Sequence, residues 1–81
     1  MKAHVWVMPK RSVLDPQGQT IRGALQGLGH STVSEVRQGK FFDIDIAPGA
    51  VREDARREMD QIARDVLANP VIEDYRIEFL D

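Results

Sequence analysis

Two histidines, His4 and His30, have the widest chemical range of the side chains in this sequence, because imidazole takes up a proton or binds a metal near neutral pH. Neither belongs to an H-x-H or HExxH pattern, and the chain has no cysteine to complete a mixed metal site. The lack of cysteine also excludes thiol catalysis, disulfides and iron–sulfur clusters. We therefore expect both histidines to be structural or to face solvent.

Two glycine-containing stretches partly match nucleotide-binding motifs. Gly27-Leu28-Gly29 has the first two glycines of a dinucleotide fingerprint, but Thr32 stands at the third, and these residues end a helix instead of opening one. Gly39-Lys40 has the last pair of a phosphate-binding loop, but Ser34 stands at its first glycine and Phe41 at its hydroxyl residue. Neither stretch predicts a nucleotide site.

Asp43 and Asp45 fall on one face of a predicted strand, where two carboxylates would be placed to bind a cation. An alternating strand with one face in solvent produces the same pair without any ligand. We expect the second explanation to hold. The sequence thus predicts no metal, no cofactor and no catalytic residue in this chain.

Composition limits the class of protein further. The chain has 81 residues and a formal charge of -2, from 11 lysines and arginines against 13 aspartates and glutamates. This balance gives no electrostatic reason to bind nucleic acid or an anionic membrane. The apolar stretch before Pro9 is too short for a signal peptide, and no window reaches the roughly 18 apolar residues of a membrane span. We expect one cytoplasmic domain over residues 1–81.

The periodicity of the apolar residues predicts six elements. Asp15-Pro16 supplies an N-cap and a first-turn proline for a helix that ends at Gly29. A two-residue period indicates strands, and a longer helical period follows Pro48-Gly49. The remaining elements are strands at 3–8, 31–38, 40–46 and 71–80 and a helix at 51–67. The order βαββαβ predicts an α+β two-layer sandwich, with a four-stranded sheet and both helices on one face.

One face of this sheet would be left without a helix to cover it. His4, Trp6, Met8 and Phe41 alternate with the predicted core residues and therefore lie on that outer face. Tryptophan and methionine are enriched at protein interfaces, which favours association with a second copy or another protein. The alternative is a set of isolated surface hydrophobes on a monomer.

Three stretches resemble the PurS family, the small subunit of phosphoribosylformylglycinamidine (FGAM) synthase. They are Ser12-Val13-Leu14-Asp15-Pro16-Gln17-Gly18, Val36-Arg37-Gln38-Gly39-Lys40, and Leu67-Ala68-Asn69-Pro70-Val71-Ile72-Glu73-Asp74-Tyr75. They occur in order and at the spacing of the family, and the likeness covers essentially the whole chain.

The resemblance implies a non-catalytic subunit of a three-component ligase in de novo purine biosynthesis. In that family the small subunit acts as a homodimer, with a tetramer as the larger alternative. It bridges a glutaminase subunit and an ATP-dependent synthetase subunit and assists ammonia transfer. ATP, Mg and glutamine are used by those partner subunits, and none is expected in this chain. A small-molecule-binding regulatory module is the alternative that the fold leaves open.

Candidate contacts with partners come from the matched stretches and from the outer face. Lys10 and Arg11 lie in the loop before the first helix, and Arg37 and Lys40 flank Gly39, where they would pair with acidic groups of a partner. A helix start alone is a sufficient explanation for residues 15–18. The interface candidates are Trp6, Met8, Lys10, Arg11, Gln17, Arg37, Lys40 and Phe41.

Overall fold

The chain alternates three strands with two helices in a computed structural model that describes residues 1–81. The second helix continues into a π-helical turn at Ala63–Leu67. The elements are β1 (Lys2–Pro9), α1 (Pro16–Gly27), β2 (Lys40–Asp45), α2 (Arg52–Ile62) and β3 (Glu73–Leu80). Neither helix has the length and apolar character that crossing a bilayer requires.

The sheet is antiparallel, and β1 lies at its centre in the order β2-β1-β3. Its residues alternate between the two faces, so that Ala3, Val5 and Val7 are fully buried on one side. The register places Val5 opposite Phe42 of β2 and Ile77 of β3. The two-residue period predicted for the first strand is thereby confirmed.

The core is small and is formed by β1 and the second helical unit. Val5 and Val7 pack with Ala63 and Ala68, and half-buried side chains of the flanking strands surround this cluster. The Ala68 amide donates to the Ala63 carbonyl at 2.9 Å, which closes a five-residue turn where a regular helix was expected. Alanine at both positions lets this turn approach the sheet closely.

The predicted strand at 31–38 is wrong, and with it the four-stranded sheet, because the sheet has three strands. Side chains of α1 bind the carbonyls of this segment instead. Arg22 donates to the Ser34 carbonyl at 3.3 Å and Gln26 to the Val33 carbonyl at 3.1 Å. The segment is also polar at most positions, so it has no continuous apolar face to place on a helix layer.

The prediction that both helices cover one sheet face is also wrong, because only α2 and its π-helical turn contribute to the core. Gly18 is the one buried residue of α1, whereas Ile21 and Leu28 are exposed. The chain measures 51 × 26 × 14 Å with a radius of gyration of 16.2 Å. A compact chain of this length would have a radius of about 12 Å. The molecule is therefore elongated, with the apolar side of α1 uncovered.

The predicted ends of α1 are confirmed. Asp15 is its N-cap, Pro16 is its first residue, and Gly29 adopts a φ of +93° directly after its last turn. The Asp15 side chain accepts a hydrogen bond from the Gly18 amide at 3.0 Å. Local cap chemistry thus sets the bounds of a helix that tertiary packing does little to support.

Gly18 provides a test of how α1 is joined to the rest of the chain. A Cβ at this position would overlap the Val36 carbonyl oxygen, so Gly18→Ala should lower the free energy of unfolding by about 1 to 3 kcal/mol. Gly23→Ala is the matched control, since nothing lies near its Cβ position, and it should raise that free energy by up to about 1 kcal/mol. Urea denaturation measures both. Equal stability of the two variants would contradict the close approach of Gly18 to the Val36 carbonyl.

Candidate functional site

The outer face of the sheet carries an aromatic cluster that we call the aromatic face, formed by His4, Trp6 and Phe41. The ring centroids of His4 and Phe41 are 4.9 Å apart, and those of Trp6 and Phe41 are 5.4 Å apart. The β1–β2 register places Trp6 directly opposite Phe41, which explains the contact. Arg76 of β3 stacks on Trp6 at 4.2 Å. Phe41 remains 52% exposed, so the cluster offers apolar area to a partner.

Charged groups form the rim of the aromatic face. Lys2 donates to Asp43 at 3.1 Å, and His4 Nε2 lies 3.2 Å from the same carboxylate. The hydrogen bond between Lys2 and Asp43 lowers the pKa of Asp43 and raises the pKa of Lys2. Asp45 lies 3.7 Å from Lys2. Both aspartates therefore lie near the same lysine on the solvent-exposed side of the sheet.

Met8 was predicted on the outer face with His4, Trp6 and Phe41, but it lies beside the aromatic face and is not part of it. Its sulfur lies against Gly39, where a Cβ would overlap it. With Trp6 and Arg76 it lines an open cleft of about 280 Å³ beside the aromatic face. The sequence placed His4 on the outer face, but neither His4 nor Arg76 was among the interface candidates, although Arg76 faces Trp6 directly across the β1–β3 register.

A second candidate surface surrounds the start of α1 and depends on Asp15. One carboxylate oxygen accepts from the Gly18 amide, and the other accepts from the Gln38 amide at 2.7 Å. The Gln17 and Gln38 side chains are joined at 2.8 Å. Hydrogen bonds from the Gln38 and Gly18 amides hold the pKa of Asp15 below its ordinary value. Gln17 is thus part of the connection between α1 and the segment before β2.

The four predicted basic contacts fall near this connection but have different surroundings. Arg37 donates to the Pro9 carbonyl and therefore holds the end of β1. Lys40 lies 3.9 Å from Glu73, near the limiting distance of an ion pair. The Lys10 amide donates to the Ile72 carbonyl at 2.8 Å, and Arg11 is exposed.

The structure brings some of these residues together and separates others. Arg11 and Arg37 line one cleft, and Gln17 and Lys40 line a neighbouring one. Arg22 of α1 joins the first cleft, although no motif selected it. Its four-residue spacing from Gln26, which binds the same segment, is the signal in the sequence that could have found it.

Acidification should release the connection that Asp15 makes. The folded pKa of Asp15 is lower than the unfolded value, so its stabilising effect is complete above about pH 4 and is lost as the pH falls through the folded pKa. We expect the Gln38 and Gly18 amide signals to shift together below that pH in NMR titrations. Asp15→Asn should remove this titration step. A Gln38 amide that titrates identically in the variant would contradict the assignment.

Comparison with known proteins gives the same family as the resemblance seen in the sequence. The family model PurS, described as phosphoribosylformylglycinamidine (FGAM) synthase, matches residues 2–81. The FGAM synthase subunit PurS of Mycobacterium leprae is 49% identical over 76 residues, which cover 94% of this chain and 91% of that protein.

Solved structures agree with the sequence match. Bacillus subtilis PurS superimposes with a TM-score of 0.85 at 38% identity, over 99% of this chain and 98% of that chain. A structure of PurLQS from Thermotoga maritima matches with a TM-score of 0.85 at 28% identity, over 98% of this chain and 95% of the other. The three-stranded fold and the full-length sequence match together show that the chain belongs to the PurS family of FGAM synthase subunits.

Proposed function

We propose that this chain bridges the glutaminase and synthetase subunits of FGAM synthase and assists ammonia transfer between them. Its membership of a family of subunits of this ligase in purine biosynthesis is established by the full-length match. The observation that carries the finer proposal is the match to a chain of the Thermotoga maritima PurLQS structure over 98% of the present chain.

The aromatic face has the composition of a protein contact surface. Trp6 and Phe41 form an apolar centre, and Lys2, Asp43 and Arg76 supply a polar rim. Aromatic side chains bury large areas at low entropic cost, so a partner that covers this centre would be bound tightly. We assign this surface to a larger subunit.

Ammonia transfer gives the assembly a chemical purpose. Ammonia that escapes into water is protonated and ceases to be a nucleophile, so a path between two active sites must be shielded. A subunit that holds the glutaminase and the synthetase together provides that shielding without catalytic residues of its own. Catalysis in this proposal, with ATP, Mg and glutamine, belongs to the partner subunits, in the cytoplasm and without nucleic acid or membrane.

The exposed surface supports self-association as well. The chain exposes 5882 Å², whereas a compact monomer of 9.2 kDa exposes about 4,900 Å². The excess of about 1,000 Å² is comparable to the roughly 800 Å² that each partner buries in a standard interface. The buried core of seven residues is correspondingly small for a chain that folds alone.

Helix α1 is the part of the chain that a second copy would cover. Ile21, Leu25 and Leu28 form its apolar stripe, and none of them joins the core of its own chain. A two-fold axis would bring the same stripe of each copy into one closed interface. A dimer formed in this way leaves the aromatic face free for a larger subunit, or for a second dimer in a tetramer.

The rate of FGAM synthesis by the two larger subunits tests the bridging role. Adding this chain should raise the glutamine-driven rate and leave the ammonium-driven rate unchanged, because only the first requires ammonia to pass between subunits. Phe41→Asp should lower the glutamine-driven rate at least about tenfold, since a partner would bury an unpaired charge. Val51→Asp is the control, because Val51 is similarly exposed at 61% but lies at the start of α2. Rates that do not depend on the chain would refute the proposal.

The dimer is tested separately through the apolar stripe. Leu28→Asp should weaken self-association at least about tenfold in analytical ultracentrifugation, again because a charge would be buried without a partner. Val66→Asp serves as the control, since Val66 is 74% exposed and Leu28 is 75% exposed. Both variants should keep the circular dichroism spectrum of the parent. An unchanged dimer after Leu28→Asp would place the interface elsewhere.

A further inference from the structure

Most cations of this chain have an acidic or aromatic partner. Carboxylates lie within 4.0 Å of five of them, namely Lys2, Lys40, Arg52, Arg57 and Arg64. Two more, Arg56 and Arg76, stack on aromatic rings. The four that have neither kind of partner are Lys10, Arg11, Arg22 and Arg37. In a chain with a net charge of -2, such cations would be expected to pair with the surplus of acids.

Three of these four line a single cleft, which we call the arginine cleft. It has a volume of about 490 Å³ and lies between the loop before α1, the helix itself and the segment before β2. Arg22 donates to the Ser34 carbonyl and Arg37 to the Pro9 carbonyl. These bonds hold two guanidinium groups in place while leaving most of their five N–H donors for a ligand. Ser12 and Ser34 are also among the lining residues.

Two acidic residues, Asp15 and Glu35, also line the arginine cleft and reduce its positive charge. Both oxygens of Asp15 accept main-chain hydrogen bonds, from Gly18 and Gln38, which offset its charge locally. The Glu35 carboxylate has no hydrogen bond or ion pair, so its negative charge would repel a bound anion. Three arginines against two acidic residues give the lining residues a positive formal charge, whereas the chain as a whole is negative.

We propose that the arginine cleft binds the phosphate group of a small phosphomonoester. A phosphate carries close to two negative charges and three strong acceptor oxygens, so it can engage three guanidinium groups at once. A carboxylate has one charge and two oxygens and would balance less of the positive charge of three arginines. The cleft is within the size range of small-molecule sites, which leaves room for the organic part of the ester. This binding goes beyond the bridging role and does not depend on it.

NMR titration of the folded, isotope-labelled chain tests the proposal with two probes, inorganic phosphate and ribose 5-phosphate. Ionic strength is held constant with sodium chloride at pH 7.5, where the phosphate is mainly dianionic. The Ser12 and Ser34 amides should shift and saturate with both probes. Ribose should cause no shift, and malonate should bind at least about fivefold more weakly than phosphate.

Variants distinguish binding at a specific site from a general effect of the net charge of the protein. Arg11→Gln should weaken both probes about fivefold, because it removes a charge-assisted hydrogen bond. Arg57→Gln is the control with the same change of net charge, since Arg57 pairs with Asp54 on α2, outside the cleft. Glu35→Gln should strengthen binding. Arg22 and Arg37 are left intact in these tests because they also bind the Ser34 and Pro9 carbonyls.

Several results would overturn the proposal. The first is a lack of saturable shifts with either probe, and the second is saturation with phosphate but not with the ester. Equal weakening by Arg57→Gln would show that net charge alone is responsible. Malonate binding as tightly as phosphate would make the cleft a general anion surface, of the kind that an acidic segment of a partner would use.

Discussion

The pairing of β1 with two neighbours is the constraint on which the rest of this structure depends. It is the one strand that hydrogen-bonds along both edges, and its inward Val5 and Val7 form the centre of the core with Ala63 and Ala68. With both edges of β1 occupied, residues 31–38 could join the sheet only outside β2 or β3. Side chains of α1 bind the carbonyls of that segment instead, and α1 is left with its apolar stripe in solvent.

Local signals in the sequence predicted local structure well, and they failed where the answer depends on what a surface packs against. Asp15, Pro16 and Gly29 set the ends of α1, as cap chemistry requires. The periodicity of α1 correctly shows that one side of the helix is apolar. Periodicity carries no information about whether that side packs on the same chain or on another one. The predicted two-layer sandwich assumed the first, and the exposed Leu28 shows that assumption to be wrong for the single chain.

The candidate sites also differ in whether local sequence signals or tertiary packing determines them. Trp6 and Phe41 could be placed on one face from the two-residue period of two strands, and the structure confirms their contact. The arginine cleft could not be found, because its wall includes the segment that was predicted to be a strand. Once residues 34–37 lie along α1, Arg22 and Arg37 share a cleft. The difference between a fourth strand and an extended segment thus decides whether a site exists at all.

These surfaces give a small subunit a physical reason to depend on assembly. A core of seven buried residues provides little stability, whereas the surface in excess of a compact monomer is about as large as a standard interface. Any partner that binds only the folded chain raises its folded population by mass action. The aromatic face lies on the sheet, whereas the apolar stripe and the arginine cleft both involve α1. Folding of this chain is therefore linked to the concentrations of its partners.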